Sequence, residues 1–306
     1  MLRYIFKRLV GSLLTILCIT TFCFFMIRIA PGGPFDEEKA IPPDIKRNIE
    51  KKYHLDEPLP KQYLRYVKGV FLHLDLGPSY KYPGRDVNEF IEAGVPKTLQ
   101  LGFGALIVAL CLGVGMGLTA ALRQNTRIDY FAMAFAMIGV SIPSFVMAPL
   151  MQLFFSLKLK LFPVAGWESF HHMILPCLAL GTLYAATIAR LTRGGMLEVV
   201  RQDYIRAARA KGLKERTVVI RHMLRGGLLP IVSYLGPACA SLLTGSLVIE
   251  KIFDIPGIGR HFVNSALNRD YTMTMGMVIF YASLLLLFNL IVDIAYTFLD
   301  PRIRYD

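Results

Sequence analysis

Charge is scarce in this sequence, and it is almost missing from the stretches where it would signify most. Only 18% of the 306 residues are charged, while 54% are hydrophobic and the mean hydropathy is +0.48, a balance too apolar for an ordinary soluble domain. No Asp, Glu, Lys, Arg or His falls inside the long apolar runs until Asp293, near the end of the last one; Arg28, Arg190 and Glu250 sit at edges. Ionisable groups are costly inside a membrane and mark proton relays and voltage sensors, so their scarcity argues against a proton-driven carrier. It argues less strongly against sodium coupling, because backbone carbonyls can bind that ion. The five cysteines (Cys18, Cys23, Cys111, Cys177 and Cys239) are odd in number, lie in apolar stretches and show no C-x-x-C spacing, which excludes a disulfide framework and a structural zinc site. No G-x-x-x-x-G-K-[ST] phosphate loop occurs, so any ATP chemistry must reside on another polypeptide. All six histidines lie in loops or at loop edges, which leaves Ser141 of Gly139-Val140-Ser141-Ile142-Pro143 without the base that a nucleophilic serine needs. A bend at Pro143, with Ser141 bonding freed backbone groups, is the reading that remains.

Six stretches are long and apolar enough for a bilayer core, which takes about 20 helical residues. They run over 9–27, 98–122, 130–157, 173–189, 228–249 and 273–299. The first resembles a signal peptide in following Arg3, Lys7 and Arg8, but its apolar run is longer than a secretory one and ends at Arg28 without a small-x-small cleavage site. With the amino terminus inside, the short inner segments hold seventeen basic residues against five in the short outer ones. The net charge of +12 is therefore a topology signal rather than a nucleic-acid footprint, and both termini are expected in the cytoplasm. The chain divides accordingly into an inner terminus with the first span (1–29), a periplasmic loop (30–97), spans two to four (98–190), a cytoplasmic loop (191–227) and the last two spans with the inner carboxyl terminus (228–306).

The periplasmic loop predicts two short amphipathic helices, one carrying Ile45, Ile49 and Tyr53, the other Tyr63, Val67 and Val70, closed by the turn-rich Asp75-Leu76-Gly77-Pro78-Ser79. On the second span Gly113 and Gly117 form a G-x-x-x-G that predicts close packing against a neighbouring span or a partner subunit. Ser141 and Pro143, and Asn289 and Asp293 four apart on one face of the last span, are candidates for a translocation path, with interhelical hydrogen bonding as the alternative role.

The cytoplasmic loop runs MLEVVRQDYIRAARAKGLKERTVVIRHMLRGGLLP from Met196, with Leu197, Val200, Tyr204 and Ala208 at helical spacing. Gly212 interrupts the pattern just after Arg209 and Lys211, as suits a helix end, and a second helix is expected from Lys214 to Leu224. Such a helix-turn-helix is too small to hide its apolar face alone. It is expected to dock on a partner, the alternative being a basic loop lying on anionic lipid.

Ala207-Ala208-x-x-x-Gly212 resembles the "EAA" loop of the membrane subunits of binding-protein-dependent ABC importers, with Arg206 where many members have Glu and Leu229-Pro230 later than the broad family's ending. Both departures, and the segments Arg28 to Pro34, Tyr53 to Leu59, Asp75 to Ser79, Ser141 to Phe145, Pro256 to Gly259, Arg269 to Tyr271 and Asp300 to Arg304, are similar to B-type permeases of the dipeptide, oligopeptide and nickel branch. Ala266 to Tyr271 most resembles the oligopeptide members. The resemblance implies an all-α integral membrane protein of the bacterial inner membrane with six transmembrane helices, the ABC importer permease fold and a helical periplasmic loop after the first helix. It implies a noncatalytic transport subunit for oligopeptides that binds no cofactor itself. Its partners would be a second homologous permease, two ATP-binding subunits carrying ATP and Mg, and a periplasmic peptide-binding protein. Tyr204, Arg206, Ala207, Ala208, Arg209, Lys211, Gly212, Leu213 and Arg216 would then meet the ATP-binding subunit. Dipeptide, nickel or antimicrobial-peptide uptake in the same branch, a self-contained channel or carrier, and a membrane scaffold are the alternatives.

Overall fold

The computed structural model describes residues 2–29 and 51–299. Their regular elements are all helical, apart from one isolated bridge between Pro78 and Asp86. In chain order they are α1 (Leu2–Ile29), α2 (Leu59–Lys68), α3 (Val87–Leu122), α4 (Arg127–Ser141), α5 (Ser144–Met151), α6 (Phe170–Val200), α7 (Asp203–Ala210), α8 (Glu215–Thr217), α9 (Leu224–Gly227), α10 (Leu229–Leu243), α11 (Leu247–Ile252), α12 (Ile258–Leu267) and α13 (Tyr271–Leu299). Wider π-helical turns occupy Gly69–His73, Gln152–Lys158 and Val218–Met223. The expected helix through Ile45 and Ile49 lies outside the described residues, as do the segments 30–34 and 300–304.

Five stretches are long and apolar enough to cross a bilayer: Ile5–Ile29, Val87–Leu122, Phe170–Val200, Leu229–Ile252 and Tyr271–Ile294. The third expected span is not one rod. α4 and the run Ser144–Lys158 meet at 106°, and counting the pair as one span brings the total to six. Pro143 supplies no N–H, and its ring drives Ile142 into extended backbone at φ −103° and ψ 118°. Ser141 Oγ donates to the Met137 carbonyl at 2.9 Å, one turn back in its own helix. The fifth span is broken as well: Gly245, at φ +77°, ends its first part, and the Ser246 side chain accepts from the Ile249 amide at 3.3 Å to restart the helix. Two span edges also hold buried carboxylates that were not expected. Glu250 is fully buried and accepts from Thr98 Oγ1 at 2.9 Å; Asp129 is 1% exposed.

The described chain forms two compact units. In the first, α2 runs back along α1, with Gln62 at Arg28 and Tyr63 bonded to Thr21 at 2.7 Å. The loop after it closes through the Pro78–Asp86 bridge and is held by Asp270, whose carboxylate accepts from Ser79 Oγ at 2.5 Å and from the Tyr80 and Met273 amides at 3.2 Å each. One side chain thus fixes the loop and caps the start of α13. Val87, Phe90, Ile91, Ile258, Met273 and Met277 pack beneath it.

In the second unit, α3 beyond Lys97 lies against α6 through small residues. A Cβ on Gly113 would stand 2.6 Å from Ile188 Cβ, and one on Gly117 would strike the Ala189 carbonyl and Thr192. Gly181 of α6 faces Ala105 in the same way. The G-x-x-x-G therefore serves packing within the chain. Asp129 accepts from Arg193 Nε and Nη2 at 2.7 and 2.8 Å and from the Asn125 amide at 3.0 Å, which ties the α3–α4 connection to α6. Gly117→Ala is expected to lower the thermal unfolding midpoint in detergent, because overpacking of this kind costs about 1–3 kcal/mol. Gly115→Ala, whose Cβ meets nothing within 4 Å, is expected to leave the midpoint unchanged or raise it. Equal midpoints for the two variants would contradict the seam.

Candidate functional site

The basic turn is built on a span rather than hung from one. α6 continues past the apolar stretch, carrying Arg190, Arg193 and Glu198 on the same helix, and ends only at Val200. A two-residue turn at Arg201-Gln202 then starts α7, whose first turn carries Asp203 at its positive end. α7 stops in an αL closure: the Lys211 amide donates to the Ala207 carbonyl at 3.0 Å, the Gly212 amide to Arg209 at 2.9 Å, and Gly212 adopts φ +75°. A side chain at Gly212 would meet open space, so backbone conformation alone demands glycine there. The return arm is one helical run from Glu215 to Gly227, α-helical at its start, wide from Val218 to Met223 and α-helical again. The expected second helix over 214–224 is present in that altered form.

Arg209 and Glu215 clamp the turn with two bonds, Nη2 to Oε1 at 2.6 Å and Nε to Oε2 at 3.1 Å. The Arg209 guanidinium holds the Glu215 carboxyl below its ordinary value, and the carboxylate raises that of Arg209. Both are half exposed, so the clamp fixes geometry and adds little stability. Beneath the turn, Ile205 and Ala208 pack against Val218, Val219 and Met223 of the return arm, Met196 of α6 and Ala121 of α3.

The structure changes two expectations. The turn hides much of its apolar face within its own chain. The inward stripe is also not the one counted: Leu197, Val200 and Ala208 face the core, but Ile205 replaces Tyr204 there, because the Arg201-Gln202 turn resets the helical phase. Of the nine residues assigned to the partner surface, Ala208 is buried and the other eight face outward. Tyr204 and Leu213 are 49% and 41% exposed, Arg206 and Arg209 reach to Asp203 and Glu215, and Ala207, Lys211, Gly212 and Arg216 are exposed. Ile220, 52% exposed on the return arm, extends this surface. Sequence spacing did not reveal it, nor the Asp129–Arg193 pair, whose members are far apart in the chain. Ser141 is exposed at the bend with its hydroxyl bonded to its own helix, while Asn289 and Asp293 are half-buried on α13. Among the described residues no three His, Cys, Asp or Glu side chains gather closely enough to hold a metal ion.

What remains is a clamped, cationic projection with Ala207 and three exposed apolar side chains, Tyr204, Leu213 and Ile220, on its surface. Family comparison agrees with that architecture. The family described as "Binding-protein-dependent transport system inner membrane component" matches residues 113–305, and its N-terminal counterpart matches residues 1–84. The chain is 48% identical over 307 residues to the oligopeptide transport system permease protein OppB of Haemophilus influenzae, with 100% of both chains covered. It is 47% identical to the Escherichia coli protein of the same name, again over 100% of both. It is also 47% identical over 304 residues to the dipeptide transport system permease protein DppB of Bacillus subtilis, covering 99% of this chain and 98% of that one. Among solved structures, an inward-facing MetNI methionine ABC transporter matches in fold with a TM-score of 0.56 and 19% identity, over 69% of this chain and 95% of that one. The chain therefore belongs to the family of inner membrane components of binding-protein-dependent transport systems.

Proposed function

We propose that this chain is the permease subunit of an ATP-driven importer of oligopeptides, and that the turn over 204–216 is where the motor acts on it. The observation that carries this reading is the rigid projection itself, locked by the Gly212 closure and the Arg209–Glu215 clamp, in a chain 48% identical end to end to an oligopeptide permease. A second permease of the same family completes the path. Two ATP-binding subunits, which carry ATP and Mg, grip the turns from the cytoplasm, where both termini also lie, and a periplasmic binding protein delivers cargo. The dipeptide permease, matched nearly as well, favours dipeptides as the second choice of cargo.

In mechanism, the turn works as a lever. α6 carries the fourth span to Val200, two residues short of α7, and α9 leads directly into α10 on the other side. The two arms cannot slide past each other freely, because a Cβ on Gly195 would strike the Gly227 carbonyl. A push on the turn during closure of the ATP-binding subunits therefore moves both spans together and switches access between the two sides of the membrane. The scarcity of charge in the spans suits cargo of varied charge, since a fixed buried charge would select among peptides. Selection then rests with the binding protein, and exchanging the binding protein is expected to change which peptides support growth; unchanged preferences would contradict it.

Gly212→Trp is expected to abolish peptide-dependent growth while ATP hydrolysis by the assembled complex and insertion of the chain persist. Gly212→Ala isolates the backbone contribution: placing a Cβ residue at φ +75° costs about 1–2 kcal/mol and should weaken coupling less than Trp does. Normal transport by the Trp variant, measured as uptake of a labelled peptide, would refute the lever.

A further inference from the structure

Where α1 ends and the loop carrying α2 begins, a pocket of about 240 Å³ lies between Arg28, Lys52, Arg65, Tyr66, Tyr80 and Thr272. Its charge is not balanced. The Arg28 guanidinium stacks on the Phe24 ring at 3.5 Å and spends its N–H groups on neutral acceptors at long range. These are Gln62 Oε1 at 3.3 and 3.4 Å, the Phe24 carbonyl at 3.3 Å and Met275 Sδ at 4.0 Å. Among the described residues no carboxylate pairs with it. Beside it the Tyr66 hydroxyl is buried without a hydrogen-bond partner, and burial pushes that phenol above its ordinary value, so it remains a donor at physiological pH. Arg65 and His54 at the rim are already matched by Glu57. Among the described residues of the lining the one carboxylate, Asp75, accepts from the Gly77 amide at 2.8 Å. A half-buried cation with weak neutral partners next to an unused buried donor is an arrangement that leaves polar groups unsatisfied, and an oxyanion would satisfy both.

We propose that this pocket binds a phosphate oxyanion, and that the headgroup of a membrane phospholipid supplies it. The planar fork of arginine fits phosphate oxygens in pairs, and the tyrosine hydroxyl adds a third donor. The membrane source follows from the surroundings. Arg28 lies in the last turn of α1, and around it Phe22, Met26 and Ile29 are 67%, 57% and 80% exposed, as expected of side chains that meet lipid. Tyr53, Tyr63, Tyr66 and Tyr80 gather at the same level, where amphipathic rings favour the headgroup region. Farther along α1 a second cavity, walled by Leu13, Ile16, Val70, Phe71, Ile279 and Phe280, offers the apolar surface an acyl chain needs. The site depends on neither the cargo nor the motor assigned above. Free inorganic phosphate shares the headgroup's chemistry and is the competing source.

The test uses the full chain with any subunits that accompany it in mild detergent, as wild type, Arg28→Gln and Tyr66→Phe. Native mass spectrometry after washing is expected to show phospholipid retained by the wild type, about tenfold less by Arg28→Gln, and an intermediate amount by Tyr66→Phe. Short-chain phosphatidylglycerol added after delipidation should raise the unfolding midpoint of the wild type and not of Arg28→Gln, and sodium phosphate at the same concentration should not raise it. A shift produced by sodium phosphate alone and lost in Arg28→Gln would overturn the headgroup assignment in favour of free phosphate. Lipid retention equal to wild type in both variants would overturn the site. If Arg28→Gln fails to fold, Tyr66→Phe decides, because it removes a hydroxyl that bonds nothing among the described residues.

Discussion

Lipid supplies no hydrophobic force to press one span against another, so α3 and α6 are held by contact alone, and contact requires that their backbones come close. Gly104, Gly113 and Gly117 on α3, with Gly181, Ala185 and Ala189 on α6, remove the side chains that would keep helices apart. Both faces of the pairing are small; a single added methyl at Gly117 would meet a main-chain carbonyl that cannot move aside. The seam sets the position of α6, and α6 leads directly to the basic turn. The Asp129–Arg193 fork pins the same stretch from the side of α4. Its carboxylate is buried, and removing one partner would strand a charge, which is the costly way to break such a pair.

Rigidity therefore passes from the membrane to the basic turn without a flexible joint. The turn's core is made from its own two arms together with Met196 and Ala121, residues supplied by the helices of the seam. The outward surface is what the core leaves over: cations, Ala207, and the exposed parts of Tyr204, Leu213 and Ile220. A projection of this kind suits an acidic or mixed groove on a partner. The Arg28 pocket lies in the other compact unit, so the proposed headgroup site and the proposed coupling turn use different residues.

The sequence was most informative where a pattern is local. Spans appear as apolar runs whatever their neighbours, and the αL closure at Gly212 announces itself by a glycine after Arg209 and Lys211. Pro143 was legible as a bend, but not as a 106° one, because the angle depends on what the second half packs against. The break at Gly245 was hidden because the short Thr244-Gly245-Ser246 triplet interrupts an otherwise apolar run. Counting by helical spacing across Arg201-Gln202 misplaced Tyr204, since periodicity carries no record of a two-residue reset. Asp129 finding Arg193, Asp270 finding Ser79, and Arg28 finding Gln62 are meetings of distant segments, and no spacing rule contains them. The family resemblance gave no reason to separate Ala207, which faces out, from Ala208, which faces in.

Everything functional depends on the turn facing the compartment that holds ATP. The direct measurement places a cysteine at Ala207 in a chain freed of its five native cysteines, and labels it with a membrane-impermeant maleimide in intact and in permeabilised cells. Labelling only after permeabilisation, and protection of that cysteine when the ATP-binding subunits are co-expressed, is the predicted result. Labelling in intact cells, or equal labelling with and without those subunits, would contradict it.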